Sequence, residues 1–212
     1  MVSTGHLLAF AAAAFVLIVI PGPSVLFAVG RALALGRRPA LLTVLGNAIG
    51  TMVPLLAVTV GLGAVVAASA VALMVIKFVG ALYLVYLGVQ AIRHRTSLAA
   101  ALNATVDPVS DRRALRQGFV VGMTNPKAIV FFAAVLPQFA EPAAGSVALQ
   151  FLILGLVFLV IAVLSDSSWA LLAGTARAWF ARSPRRLEAV GGVGGLMIIG
   201  VGATVAVSGS AN

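Results

Sequence analysis

Between Pro39 and Ile76 the chain carries no charged residue. A helix that crosses a bilayer needs roughly 20 apolar residues, so this run is long enough for one helix across and another back. Overall only 9% of the residues are charged, against about 25% in an ordinary soluble domain. Together these features predict an all-α integral membrane protein with no room for a soluble domain. Cysteine is absent, which excludes disulfides, cysteine-based zinc sites and thiol chemistry. Leu7 to Ile20 has the look of a signal-peptide core. No positive region precedes it, however, and Pro21-Gly22-Pro23 follows, so it reads as the first half of a retained span.

The net charge of +9 would suit a nucleic-acid partner, but its distribution argues otherwise. The basic residues sit in short clusters between apolar runs, without interleaved aromatics, as loops flanking a membrane do, so no nucleic-acid role is expected. The apolar runs predict six transmembrane helices, at about 6–29, 40–63, 69–91, 117–138, 147–173 and 189–208. Every arginine falls in an alternate join. Arg31, Arg37 and Arg38 follow the first span; Arg93, Arg95, Arg112, Arg113 and Arg116 follow the third; Arg177, Arg182, Arg185 and Arg186 follow the fifth. The joins after the second and fourth spans hold no Lys or Arg, and the latter holds Glu141. The positive-inside rule puts the arginine joins in the cytoplasm and both termini outside.

Residues 92–116 are polar, with Asp107-Pro108 and a helix-capping Ser110. They read as a cytoplasmic linker between a first three-helix repeat, 1–91, and a second, 117–212. With three spans in each half, the first runs inward and the fourth outward, so the repeats are inverted. Pro23 then answers to Pro126 and Gly46 to Gly155, and the Gly80/Gly88 spacing recurs as Gly192/Gly200. The pairs Gly46/Gly50, Gly118/Gly122 and Gly191/Gly195 allow close helix contact, within one subunit or across a homodimer.

Helices 1 and 4 are broken at Pro21-Gly22-Pro23 and Asn125-Pro126-Lys127. Proline removes a helix hydrogen bond and clashes with the preceding turn. In hydrocarbon such breaks persist only where the backbone is buried in protein or lines a cavity. Paired breaks at matching places in two halves point to a transporter's binding site. The half-helices beginning at Ser24 and Lys127 would aim their free N–H groups and positive dipole ends at one cavity. A carboxylate would be held there, reinforced by Lys127.

A charge at a helix centre costs about 2.5–3.5 kcal/mol on insertion scales, so charged residues in spans need a reason. Lys77 has one in snorkelling to the outer surface. Lys127 lies about 15 Å of helix from Gln117, beyond a lysine's reach; its structural alternative is an ion pair with Asp166. Asp166 is the one acid in any predicted span and is the candidate proton-coupling or cation site. Asn47 is a further polar candidate, whose alternative role is an interhelical hydrogen bond. Carbonyls freed around Val19–Ile20 and Gly122–Thr124, with Asp166, would accept an ammonium. An anionic end and a cationic end together describe a zwitterionic amino acid. No polar stripe along one helix face is evident, which disfavours a channel, and no nucleophile–base pair marks an enzyme.

Pro21-Gly22-Pro23-Ser24, Gly36-Arg37-Arg38 and the Gly46/Gly50 pair together resemble the first segment of the LysE/RhtB-type amino-acid exporters, the homoserine/threonine resistance branch of the lysine-exporter superfamily. The stretch from Lys77 to Gly88 is similar to their third span. Arg116 to Phe119, Asn125 to Ala128 and Leu136 to Phe139 are similar to their fourth, and Asp166 with Trp169 to their fifth. The glycine-rich final span, preceded by Glu188, departs somewhat. The resemblance implies a proton-driven exporter of amino acids or their derivatives in the bacterial inner membrane, with no cofactor. It carries the site onto Pro21, Gly22, Pro23, Asn125, Pro126, Lys127 and Asp166. A metal-ion exporter of the same superfamily is the alternative; His6 and His94 lie at span ends and no cysteine ligand exists, which argues against it.

Overall fold

The computed structural model describes residues 2–68, 70–93, 108–181 and 184–207. These form eight α-helices: α1 (Thr4–Val19), α2 (Pro23–Leu35), α3 (Arg37–Ala68), α4 (Ala70–Arg93), α5 (Asp111–Met123), α6 (Pro126–Phe139), α7 (Val147–Ala181) and α8 (Pro184–Val207). A single 3-10 turn, Pro142–Ala144, joins α6 to α7. His94, Arg95, Asp107 and Arg182 lie outside the described residues.

Two stretches, Arg37–Gly61 of α3 and Val147–Ala173 of α7, are long and apolar enough to cross a membrane alone. The α1–α2 and α5–α6 pairs qualify when each is taken as one broken span, bent by 51° and 42° respectively. Helices α4 and α8 contribute shorter apolar stretches, Met74–Gln90 and Leu196–Val207. Among the described residues the protein is thus all-helical, with two such spans, or four with the broken pairs, as a multi-pass membrane protein is.

Contacts fix how the helices run. At one end of the bundle His6 and Phe10 of α1 pack edge-on against Phe139, the last residue of α6. The far end of α1 meets the start of α6, where Lys127 reaches the carbonyl of Ile20. The two broken pairs therefore run antiparallel, with their breaks at one level. At the opposite end Arg38 donates to Asp111 at 2.6 Å, and Ser110 caps α5 by accepting from the Arg113 N–H at 3.3 Å. Both cap and carboxylate suit a helix N-terminus. Arg31 departs from the sequence reading: it sits within α2 and is only 2% exposed, so it is not a join residue.

Two different packings close the ends. Toward the Phe139 end, Phe10, Phe131, Phe132 and Phe158 form an aromatic plug, with centroids 4.8–5.6 Å apart for Phe132–Phe158, Phe131–Phe158 and Phe10–Phe131. Toward the arginine end, α3 and α5 run parallel and touch backbone to backbone. A Cβ on Gly46 or Gly50 would fall within 2.1 Å of the carbonyl oxygens of Leu115 or Phe119; one on Gly118 or Gly122 would fall within 2.2 Å of those of Thr43 or Asn47. Both glycine pairs are thus spent inside one subunit. Gly155 instead faces the side chain of Leu55, so its contact is not the counterpart of the one Gly46 makes.

Candidate functional site

Local chemistry builds the site. Helix α1 stops where Pro21 and Pro23 supply no N–H, and Pro23 opens α2 at its first turn. Gly22 is the N-cap of α2 and supplies no capping side chain, which leaves the first N–H groups of α2 open. Helix α6 begins differently. Asn125 caps it, its Oδ1 accepting from the Lys127 N–H at 3.1 Å. Two of the carbonyls at the end of α5 are taken up locally: the Thr124 N–H donates to Val120 O and the Asn125 N–H to Gly122 O.

The breaks face each other. Asn125 Nδ2 donates to Ser24 Oγ at 3.4 Å, and Lys127 Nζ donates to Ile20 O at 3.0 Å. The lysine of the second break therefore holds a carbonyl released by the first. Across from them Asp166 of α7, 4% exposed, accepts from Asn47 Nδ2 of α3 at 3.3 Å. Asn47 Oδ1 is buried and has no partner. Between these groups lies a cavity of about 30 Å³, with Ser24, Asn47, Thr51, Asn125, Lys127 and Asp166 as its polar lining and Leu17, Ile18, Phe158 and Ala162 as apolar wall. A water needs about 10–15 Å³ of such space, so there is room for about two.

Lys127 and Asp166 share this cavity without pairing. Among the described residues the ion pair formed is Arg38–Asp111, at the surface. Each central charge is steadied by a neutral neighbour, Ile20 O or Asn47. Lys127 and Asp166 thus face one cavity, each bonded to a neutral neighbour rather than directly to the other.

The family model for LysE type translocators matches residues 15–209. The chain belongs to that family. It is 36% identical over 200 residues to an uncharacterized membrane protein of Vibrio cholerae, covering 94% of this chain and 95% of the relative. A homoserine/homoserine lactone efflux protein of Salmonella typhi is 34% identical over 171 residues, 81% of each chain. A leucine efflux protein of an Enterobacter species is 28% identical over 197 residues, 91% of each chain. No solved structure matches.

In this LysE type translocator Gly22, Ser24, Asn47, Asn125, Lys127 and Asp166 all line one cavity. Pro21, Pro23 and Pro126 act from the breaks, setting where α2 and α6 begin. Two expectations change. Two of the freed carbonyls already have donors: Ile20 O accepts from Lys127 Nζ and Gly122 O from the Asn125 N–H. A polar stripe does exist: Thr43, Asn47, Thr51 and Thr59 lie at four-residue multiples on α3 and are all buried. The hydroxyls of Thr43, Thr51 and Thr59 donate to carbonyls four residues back, at 2.8 Å, so its threonines are satisfied within their own helix and Asn47 alone donates out of it, to Asp166. Lys77 does not line the cavity; its ammonium lies 5.5 Å from the Phe78 ring centre. Thr51 was not signalled by sequence beyond its spacing of four from Asn47.

Proposed function

We propose that this LysE type translocator is a secondary active exporter of amino acids or their derivatives, coupled to protons through Asp166 and working by alternating access. One observation carries the reading: Lys127 and Asp166 bear opposite charges on one buried cavity and remain unpaired with each other. A carboxylate fits Lys127, the Ser24 hydroxyl and the open N–H groups at the start of α2. An ammonium fits Asp166 and the unpartnered Asn47 Oδ1. Leu17, Ile18 and Phe158 offer an apolar wall to a side chain. The relatives named for homoserine and leucine efflux support this substrate class. The cavity is too small for an amino acid, and this reading takes it as a closed state that parting the aromatic plug or the glycine seam would open to one side or the other.

Liposomes containing the full chain and loaded with unlabelled homoserine or leucine test this. Labelled homoserine or leucine should exchange inward against the internal pool, and exchange should need both the amino and carboxyl groups. Absence of exchange with homoserine, leucine and lysine alike would overturn the amino-acid reading.

The fold is read as six spans in two inverted three-helix repeats, with both termini outside the bacterial inner membrane. The antiparallel broken pairs and the arginine-rich end support it. Because the chain lacks cysteine, a single introduced thiol reports without background. Arg112→Cys should resist an impermeant thiol reagent added to intact cells and Ala143→Cys should react; both positions are exposed. The reverse pattern refutes the orientation.

A further inference from the structure

We propose that Arg31 is a capture subsite for the substrate's carboxylate, occupied before the central cavity and reached from the end of the bundle where α2 stops. The inference rests on the amino-acid reading above. Arg31 is 2% exposed, and every hydrogen-bond acceptor it meets is neutral. Nη1 donates to Thr43 Oγ1 at 2.8 Å and to Ala114 O at 3.4 Å; Nη2 donates to Gln117 Oε1. Its Cζ lies 4.5 Å from the Phe27 ring centre. Nε is buried and has no partner. Among the described residues no carboxylate forms an ion pair with it, and Arg113 adds like-charge repulsion.

A buried cation is costly unless paired. This one keeps its charge, a spare donor and a fork geometry that matches a carboxylate. Its position fits a route. Arg31 is seven residues from Ser24 on α2, two helical turns along the same face and about 10 Å from it. Two of its three bonded partners lie on α5, beside the bare glycine seam where α5 meets α3. When α5 moves away from α2, the bonds to Ala114 and Gln117 break and the guanidinium faces the opening. A carboxylate caught there passes two turns inward to Lys127 and Ser24, while the ammonium goes on to Asp166. The competing role is a static strut that only ties α2 to α5.

Sidedness separates the two. Half-saturation for labelled homoserine is measured from each face, in right-side-out and everted vesicles carrying the full chain. Arg31→Gln should raise it about 10–100-fold at the face where α2 ends, the loss expected for a charge-assisted bond, and leave it unchanged at the other. Arg31→Lys should fall between. Inhibition by leucinamide, which lacks the carboxylate, should be unaltered by either substitution. A rise of equal size at both faces, or no rise at all, overturns the capture role. If Arg31→Gln does not fold, Arg31→Lys decides by the same one-face criterion. Failure of the unsubstituted protein to move homoserine, leucine and lysine alike would instead overturn the amino-acid reading, and the capture role with it.

Discussion

Asp166→Asn is expected to abolish accumulation driven by a pH gradient, and adding Lys127→Gln is not expected to restore it. The substitution keeps the size of the side chain and its bond from Asn47, and removes only the charge and the titrating oxygen. Losing one charged partner of a buried hydrogen-bonded pair typically costs 2–5 kcal/mol, or roughly 30–4,000-fold in affinity. The substrate ammonium should lose about that much, so exchange of substrate for substrate persists only at high concentration. The geometry gives the double variant its meaning. If Asp166 served only to neutralise Lys127, removing both charges would relieve the defect. Their neutral partners, Ile20 O at 3.0 Å and Asn47 Nδ2 at 3.3 Å, argue that they serve opposite ends of a guest. The measurement is uptake into liposomes with and without an imposed pH gradient, for both single variants and the double. Gradient-driven transport regained in the double variant would reduce the two residues to a structural pair.

Much of this architecture was legible because its causes are local. The breaks follow from Pro21, Pro23 and Pro126, which lack an N–H, and from Asn125, whose side chain caps the helix after it. Asp166 was conspicuous as a lone acid in an apolar run, and Ser110 as a cap. What was not legible depends on packing between segments far apart in sequence. Arg31 reads in sequence as one of the loop arginines because nothing local distinguishes it; the approach of α5 brings it against Gln117, 86 positions away. The partner of Lys127 is a backbone carbonyl, a group that every residue carries, so sequence cannot single out Ile20. The α3 stripe was missed because threonine in an apolar helix satisfies its own hydroxyl and reads as a small apolar residue. Gly46 and Gly118 were recognised as packing positions, but only the three-dimensional contact decides between a partner helix in the same chain and a second copy.

The glycine seam should be the least substitutable surface of the fold, and Gly122→Ala, alone and with Gly46→Ala, tests it. In an exposed helix a Gly→Ala change stabilises by up to about 1 kcal/mol. Gly61→Ala and Gly200→Ala, where a Cβ meets nothing within 4 Å, should therefore be neutral or mildly stabilising. At Gly122 the new methyl would lie 2.1 Å from Asn47 O and at Gly46 2.1 Å from Leu115 O. The obstruction is backbone, not a flexible side-chain tip, so α5 has to move off α3. Overpacking of this kind costs about 1–3 kcal/mol per site, enough to outweigh the propensity gain. The two sites lie on facing helices, so their costs should not simply add: once the helices part, the second methyl is partly accommodated. The seam also holds Asn47 against α5 while its side chain donates to Asp166, so function should fall before folding does. Thermal stability in detergent, followed by monodispersity after heating, should drop for Gly122→Ala and further, though less than additively, for the double variant. Homoserine exchange should weaken in Gly122→Ala at temperatures where the protein remains monodisperse. Equal stability of the seam and control variants would mean that the close contact between α3 and α5 is not what holds this end of the bundle.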